Sequence, residues 1–128
     1  MAISDERLAA ATIVEGQDGE RRVYRFDDIG CMLTHEAAHR AERPIARFVR
    51  DFAGGGWLDA GSAHYLRSDA VPTPMLYGLA AFRTEGRAEQ ERSARGGVIV
   101  DLDWLRARAS AGELKVETPT EPRGRLER

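Results

Sequence analysis

Glycine and proline residues divide this chain into short segments that recur in the same order in both halves. A Gly/Asp cluster at residues 15–19 ends the first apolar segment, Pro44 follows a helical pattern, and three glycines at 54–56 close the first half. Glycine and proline interrupt regular structure because the glycine backbone is unusually free and the proline backbone unusually restricted. These glycine and proline positions limit the chain to short strands and short helices.

The segments between these breaks predict two β-β-α-β units in tandem. Apolar runs or period-two alternation indicate strands at residues 7–14, 21–26, 45–52, 64–67, 78–82 and 98–102. Helices are predicted at 29–40 behind an Asp27-Asp28 cap, from a Thr84 cap to about residue 94, and at 104–108. We expect an α+β fold with small antiparallel or mixed sheets, one unit in 1–55, the second in 56–110, and a disordered tail at 111–128.

The composition argues against several classes of protein. The chain has 128 residues, a formal net charge of −2 and one cysteine, Cys31. This balance argues against coating nucleic acid or an anionic membrane, and no apolar run approaches the roughly 20 residues that insert across a bilayer. One cysteine excludes an internal disulfide framework and a four-cysteine zinc site. Because the sequence has no hydrolase, phosphate-loop, dinucleotide or zinc-protease motif, we expect a protein that is not an enzyme.

The first predicted helix carries a stripe of residues that can bind a metal. Cys31, His35 and His39 are spaced four residues apart, which places them on one side of the helix. Thiolate and imidazole groups bind Cu(I), Zn(II) or Ni(II). The ordinary alternative is that Cys31 is a small buried hydrophobe and that the histidines lie on a solvated flank. Met32 belongs to the apolar stripe of the helix, so we expect it in the core.

A second candidate ligand is Met75, which directly follows Pro72-Thr73-Pro74. Each proline restricts itself and the residue before it, so this loop is predicted to be stiff and extended. A stiff loop that presents a thioether binds a soft ion without a large cost in loop ordering. Alternatively, Met75 plugs the edge of the core. His64, in the neighbouring predicted strand, is a second ligand, a surface residue or a partner contact.

Four segments of the chain resemble a known family. They are residues 1–10 (MAISDERLAA), 26–32 (FDDIGCM), 57–60 (WLDA) and 72–78 (PTPMLYG), the last leading into 80–82 (AAF). Together they resemble the NosL family, accessory proteins of nitrous oxide reductase that act as copper chaperones. The resemblance implies two ββαβ units akin to the organomercurial lyase fold. It also implies Cu(I) binding with Met75 as the foremost ligand, and delivery to nitrous oxide reductase or its maturation machinery.

The sequence departs from the family pattern at its beginning. Typical members are exported lipoproteins with a Cys-x-x-Cys-Gly-Met segment, and Met1 aligns with the last residue of that segment. The resemblance implies the cell envelope as the location, whereas a chain that truly starts at Met1 would be cytoplasmic. A trimmed chain, a start codon assigned too late and a soluble relative all fit. The remaining ligand set is Met75 with Met1, Cys31 or a histidine, namely His35 or His64.

Three functional hypotheses follow. The leading one is a non-enzymatic Cu(I) chaperone. The alternative is a metal-free protein-interaction module on the same fold. A lyase-type enzyme is the third and weakest, since such chemistry needs paired cysteines and the sequence has only Cys31.

Overall fold

The computed structural model describes residues 6–71 and 77–114. Within these ranges the strands are β1 (Ala10–Glu15), β2 (Arg21–Phe26), β3 (Arg43–Arg50), β4 (Trp57–Asp59), β5 (His64–Arg67), β6 (Leu79–Phe82) and β7 (Val98–Val100). The helices are α1 (Ile29–Ala38), α2 (Glu85–Arg95) and α3 (Leu102–Ser110), and a 3-10 turn covers Glu6–Leu8. Met1, Met75 and residues 115–128 of the tail predicted at 111–128 lie outside the described residues. Residues 111–114 of that predicted tail are described, and Leu114 is buried.

The strands form two antiparallel sheets that share one three-strand topology, to which the first sheet adds β4 at its edge. The first sheet has the order β2-β1-β3-β4 and the second has the order β6-β5-β7. In each, the first strand of a unit is central and the next two lie on either side of it. These two outer strands run parallel to each other, so a helix must carry the chain across the sheet between them. This arrangement confirms the predicted α+β fold and its repeated element order.

Each helix begins at a capping side chain. The residue before the helix accepts a hydrogen bond from the backbone N–H three residues later: Asp28 from Cys31, Thr84 from Arg87 and Asp101 from Trp104. Such a cap satisfies one of the N–H groups that the first helical turn leaves unpaired. The caps at Asp28 and Thr84 are as the sequence predicted.

Helices α1 and α3 pack together in a core that both sheets share, and α2 packs on the opposite face of the second sheet. The larger buried cluster joins both sheets to α1 and α3 through side chains that include Val49, Met32, Leu105, Tyr65 and Ala81. The smaller cluster packs α2 on the other face of the second sheet, through Leu66, Ala80, Phe82 and Ala88. Where the two sheets meet, the Phe52 N–H donates to the Ala81 carbonyl at 2.8 Å. Met32 is fully buried, as predicted.

Several element boundaries differ from the sequence prediction. Helix α1 ends two residues before residue 40, and β3 starts at Arg43 with Pro44 inside it. Pro44 is tolerated there because the register with β1 shifts at this point, between Ile13 and Val14. Strand β4 was not predicted, because three residues with an exposed-buried-exposed pattern are too short for a periodic signal. The division of the chain at residue 55 stays a prediction.

Candidate metal centre

Cys31 lies in the first turn of α1, half-buried against the larger core cluster. Its backbone N–H donates to Asp28 Oδ1 at 2.8 Å, so the cap of the helix fixes its position. The other oxygen, Asp28 Oδ2, is buried and has no hydrogen-bond partner in the part of the chain that the structure describes. An unpaired buried polar atom costs about 1–3 kcal/mol. The start of α1 therefore carries an unused hydrogen-bond acceptor in the cap that positions Cys31.

His35 lies one turn after Cys31, and aromatic rings surround it. Its ring lies 4.7 Å from the ring of Tyr24 and 5.3 Å from that of Phe26, centroid to centroid. Burial by these neighbours, together with the nearby His39, lowers the pKa of His35 below its usual range. The imidazole is therefore neutral near pH 7, which is the form that binds a metal.

The rings of His35 and His39 are stacked rather than convergent. Their centroids are 3.9 Å apart and their planes differ by 12°. The lone pairs of an imidazole lie in the plane of the ring, so two stacked rings do not direct them at one point between them. His39 Nδ1 lies 2.8 Å from the His35 carbonyl oxygen, which leaves His39 Nε2 as its outward nitrogen. His35 and His39 are thus two separate candidate ligands.

His64 is placed away from this helix. It starts strand β5, where it pairs with Phe82, and the loop that contains Met75 leaves β5 from the other end, after Arg67. Alternation along the strand puts His64 on the face of Leu66, which packs in the cluster beneath α2. The described elements do not bring His64 together with Cys31 and His35.

Tyr77 fixes the end of the Met75 loop on α1. The Tyr77 hydroxyl and Thr34 Oγ1 are 3.1 Å apart. Its ring lies so close to Gly30 that a Cβ atom added there would be 2.0 Å from Tyr77 Cγ. Glycine is therefore required at this position of the helix by close contact. No motif in the sequence singles out Tyr77. The available signal is the glycine in the first turn of a helix, directly before Cys31.

The beginning of the same loop is also anchored. Val71 is buried in the smaller cluster together with Leu8, which belongs to the N-terminal 3-10 turn. The Ser68 N–H donates to the Gly78 carbonyl at 2.8 Å, so the two ends of the loop are tied to each other. Val71 thus lies near the N-terminal turn, whereas Tyr77 lies on α1.

The described residues hold neither a complete metal cluster nor a membrane-spanning helix. Within 6–71 and 77–114, no three or more His, Cys, Asp or Glu side chains are arranged to bind one ion. Over the same ranges, none of the helices is long and apolar enough to cross a bilayer. Any set of three or more ligands that includes Cys31 must therefore draw on other residue types, such as methionine, or on positions outside these ranges.

Comparison with known proteins identifies the fold. No protein-family model and no curated protein sequence matches the chain. Among solved structures, the chain is similar to the copper chaperone NosL from Shewanella denitrificans, with a TM-score of 0.67 and 13% sequence identity. The similarity covers 80% of this chain and 82% of the NosL chain. The chain therefore has a NosL-like fold.

Proposed function

We propose that this protein binds Cu(I) as cargo and passes it on as a NosL-like chaperone, with nitrous oxide reductase or its maturation machinery as the receiver. The similar solved structure is described as a copper chaperone, and the sequence resemblance points to the same family. The proposal depends most on one observation, the contact of Tyr77 with Gly30 beside Cys31.

This contact limits how far the Met75 loop can be from Cys31. Two residues of chain span at most about 7 Å, and Met75 precedes Tyr77 by two residues. Tyr77 packs on Gly30, the residue before Cys31. A thioether and a thiol thus come from two segments that one side chain holds together, and this supports a site between the loop and the start of α1.

The chemistry of these two groups suits Cu(I). Thioether and thiolate sulfurs are soft ligands, which favour Cu(I) over harder ions. The thioether needs no deprotonation, whereas the thiol must lose a proton when the metal binds. His35 adds a neutral imidazole one turn along the helix from Cys31, and Met1 is a further candidate because the N-terminal turn packs in the same cluster as Val71. An incomplete set of two or three ligands leaves room for the ligands of an acceptor.

Titration of Cu(I) against a competing chelator tests this function. We expect the chain to bind Cu(I). Loss of a residue that only supports a ligand already lowers metal affinity by about tenfold, so Cys31→Ser and Met75→Leu should each lower the Cu(I) affinity by at least that much. Met32→Leu is the matched control, because its thioether is fully buried in the core and unavailable to an ion. Equal binding by the wild type and all three variants would contradict the assignment. A complete lack of uptake would favour the metal-free interaction module.

A further inference from the structure

One face of the first sheet is left uncovered by the part of the molecule that the structure describes. The second sheet is covered on both sides, by α1 and α3 on one and by α2 on the other. The first sheet has α1 on one side only, and no element within residues 6–71 and 77–114 packs on its other side. We call this side the outer face; it is formed by the outward side chains of β1 to β4.

The strand register defines which side chains form the outer face. Val23, Ile13 and Ala46 lie side by side across three strands, and Ala11 and Phe48 form the next row. Trp57 lies at the β4 edge, paired with Arg50. These apolar side chains belong to neither buried cluster. Val23 is 62% exposed and Trp57 is 43% exposed, so this face presents large hydrophobic side chains to solvent at both of its edges.

The outer face is basic, although the whole chain carries a net charge of −2. Its outward positions include four arginines and two carboxylates: Arg21, Arg25, Arg43, Arg50, Glu15 and Asp59. The carboxylates are already engaged, because Glu15 pairs with Arg43 and Asp59 accepts from the Gly61 N–H and the Ser62 hydroxyl.

The remaining arginines of the outer face are available to a partner. Arg50 lies over the Trp57 ring, 5.2 Å from its centroid. Arg21 and Arg25 have no carboxylate partner among the described residues. The face thus presents an apolar centre with unneutralised positive charge around it.

We propose that the outer face is a docking surface for an acidic protein whose contact region has an apolar centre. Trp and Arg are the side chains that most often dominate the free energy of protein interfaces, and the positive charge complements an acidic partner. A second copy of this chain would bring two like-charged faces together, which disfavours self-association. The centre of the face is aliphatic, with Ile13, Val23 and Ala46, whereas single-stranded nucleic acid is bound on stacked aromatic rings.

The docking surface is separable from the proposed copper site. Cys31 is on α1, which covers the opposite side of the sheet. A substitution on the outer face therefore leaves Cu(I) uptake unchanged, and loss of Cu(I) binding leaves docking intact. This placement would let a partner hold the protein from one side while cargo moves on the other.

Calorimetry with a defined probe tests the docking surface. The probe is a short peptide of alternating glutamate and valine, and its control has lysine in place of glutamate. We expect the acidic peptide alone to bind, with hydrogen exchange protection confined to β1 to β4. Val23→Glu and Trp57→Ala should each weaken binding by about tenfold or more. Arg87→Glu, on the exposed side of α2, is the matched control and should bind like the wild type.

Four results would overturn the proposal. One is the absence of binding by the acidic peptide. A second is binding that Val23→Glu and Trp57→Ala leave unchanged. Concentration-dependent dimers in sedimentation that Val23→Glu abolishes would assign the face to a second copy instead. Tighter binding of oligothymidylate than of the acidic peptide, lost in the same variants, would assign it to nucleic acid.

Discussion

Gly30 and Gly86 occupy the same position, the second residue of the helix, in the two repeated units. Their surroundings differ completely. A Cβ atom at Gly30 would overlap the Tyr77 ring, whereas one at Gly86 would meet no atom within 4 Å. Gly30 therefore leaves the space on α1 that the Tyr77 ring occupies.

We predict opposite effects of alanine at these two glycines. Gly30→Ala should lower the free energy of unfolding by about 1–3 kcal/mol, because the added methyl group displaces Tyr77. Gly86→Ala should raise it by up to about 1 kcal/mol, because alanine favours the helix and fits without contact. Urea denaturation of both variants measures this. A similar change in both would show that the Tyr77 contact is not specific.

His35 should make the protein less stable in mild acid. Its pKa is lowered in the folded protein by burial and by His39, so the unfolded chain takes up a proton more readily. The free energy of unfolding should therefore be unaffected by this group above about pH 7 and fall as the pH drops through the ordinary histidine pKa of about 6.5. His35→Gln should remove this part of the dependence and His39→Gln should reduce it, as denaturation curves at several pH values would show. An unchanged pH profile in His35→Gln would contradict the assignment.

At the scale of the element, the caps were predictable and the exact ends were not. Asp28 and Thr84 directly precede segments with helical periodicity. A short polar side chain at that position caps the helix through a local hydrogen bond. Strand β4 and the start of β3 at Arg43 depend on pairing with distant strands, and no local pattern encodes that pairing.

The cap of α2 gives a prediction at this scale. Thr84→Ala should lower the free energy of unfolding by about 1 kcal/mol, because the Arg87 N–H loses its side-chain acceptor. Thr84→Ser keeps the hydroxyl and should remain within a few tenths of a kcal/mol of the wild type. Thermal denaturation followed by circular dichroism distinguishes the two. Equal losses in both variants would mean that the methyl group of Thr84, not the cap, is responsible.

At the scale of the whole molecule, the sequence predicted the order of elements but not how they pack together. Glycine and proline breaks that recur in both halves, together with the alternation of apolar and polar residues, were enough to predict two ββαβ units. The exposed Val23 could be assigned to the face opposite Tyr24, but which sheet lacks a second cover depends on the docking of the two units. The outer face was therefore visible only in the structure.

The candidate ligands follow from residue type and local context alone. That Cys31, His35 and Met75 belong to one site stays a prediction. The contact between Tyr77 and Gly30 spans 47 residues of sequence, and no periodic pattern reports such a pairing. His64 is close to the Met75 loop in sequence, but its strand places it in the second sheet, away from Cys31.

The central claim is that sulfur atoms from the loop and from α1 bind one Cu(I) ion. X-ray absorption at the copper edge of the loaded protein tests it most directly, since it reports the ligand atoms themselves. We predict sulfur neighbours in the wild type, one fewer in Cys31→Ser and in Met75→Leu, and no change in Met32→Leu. Copper bound only by nitrogen and oxygen, or a spectrum that neither Cys31→Ser nor Met75→Leu alters, would contradict the account.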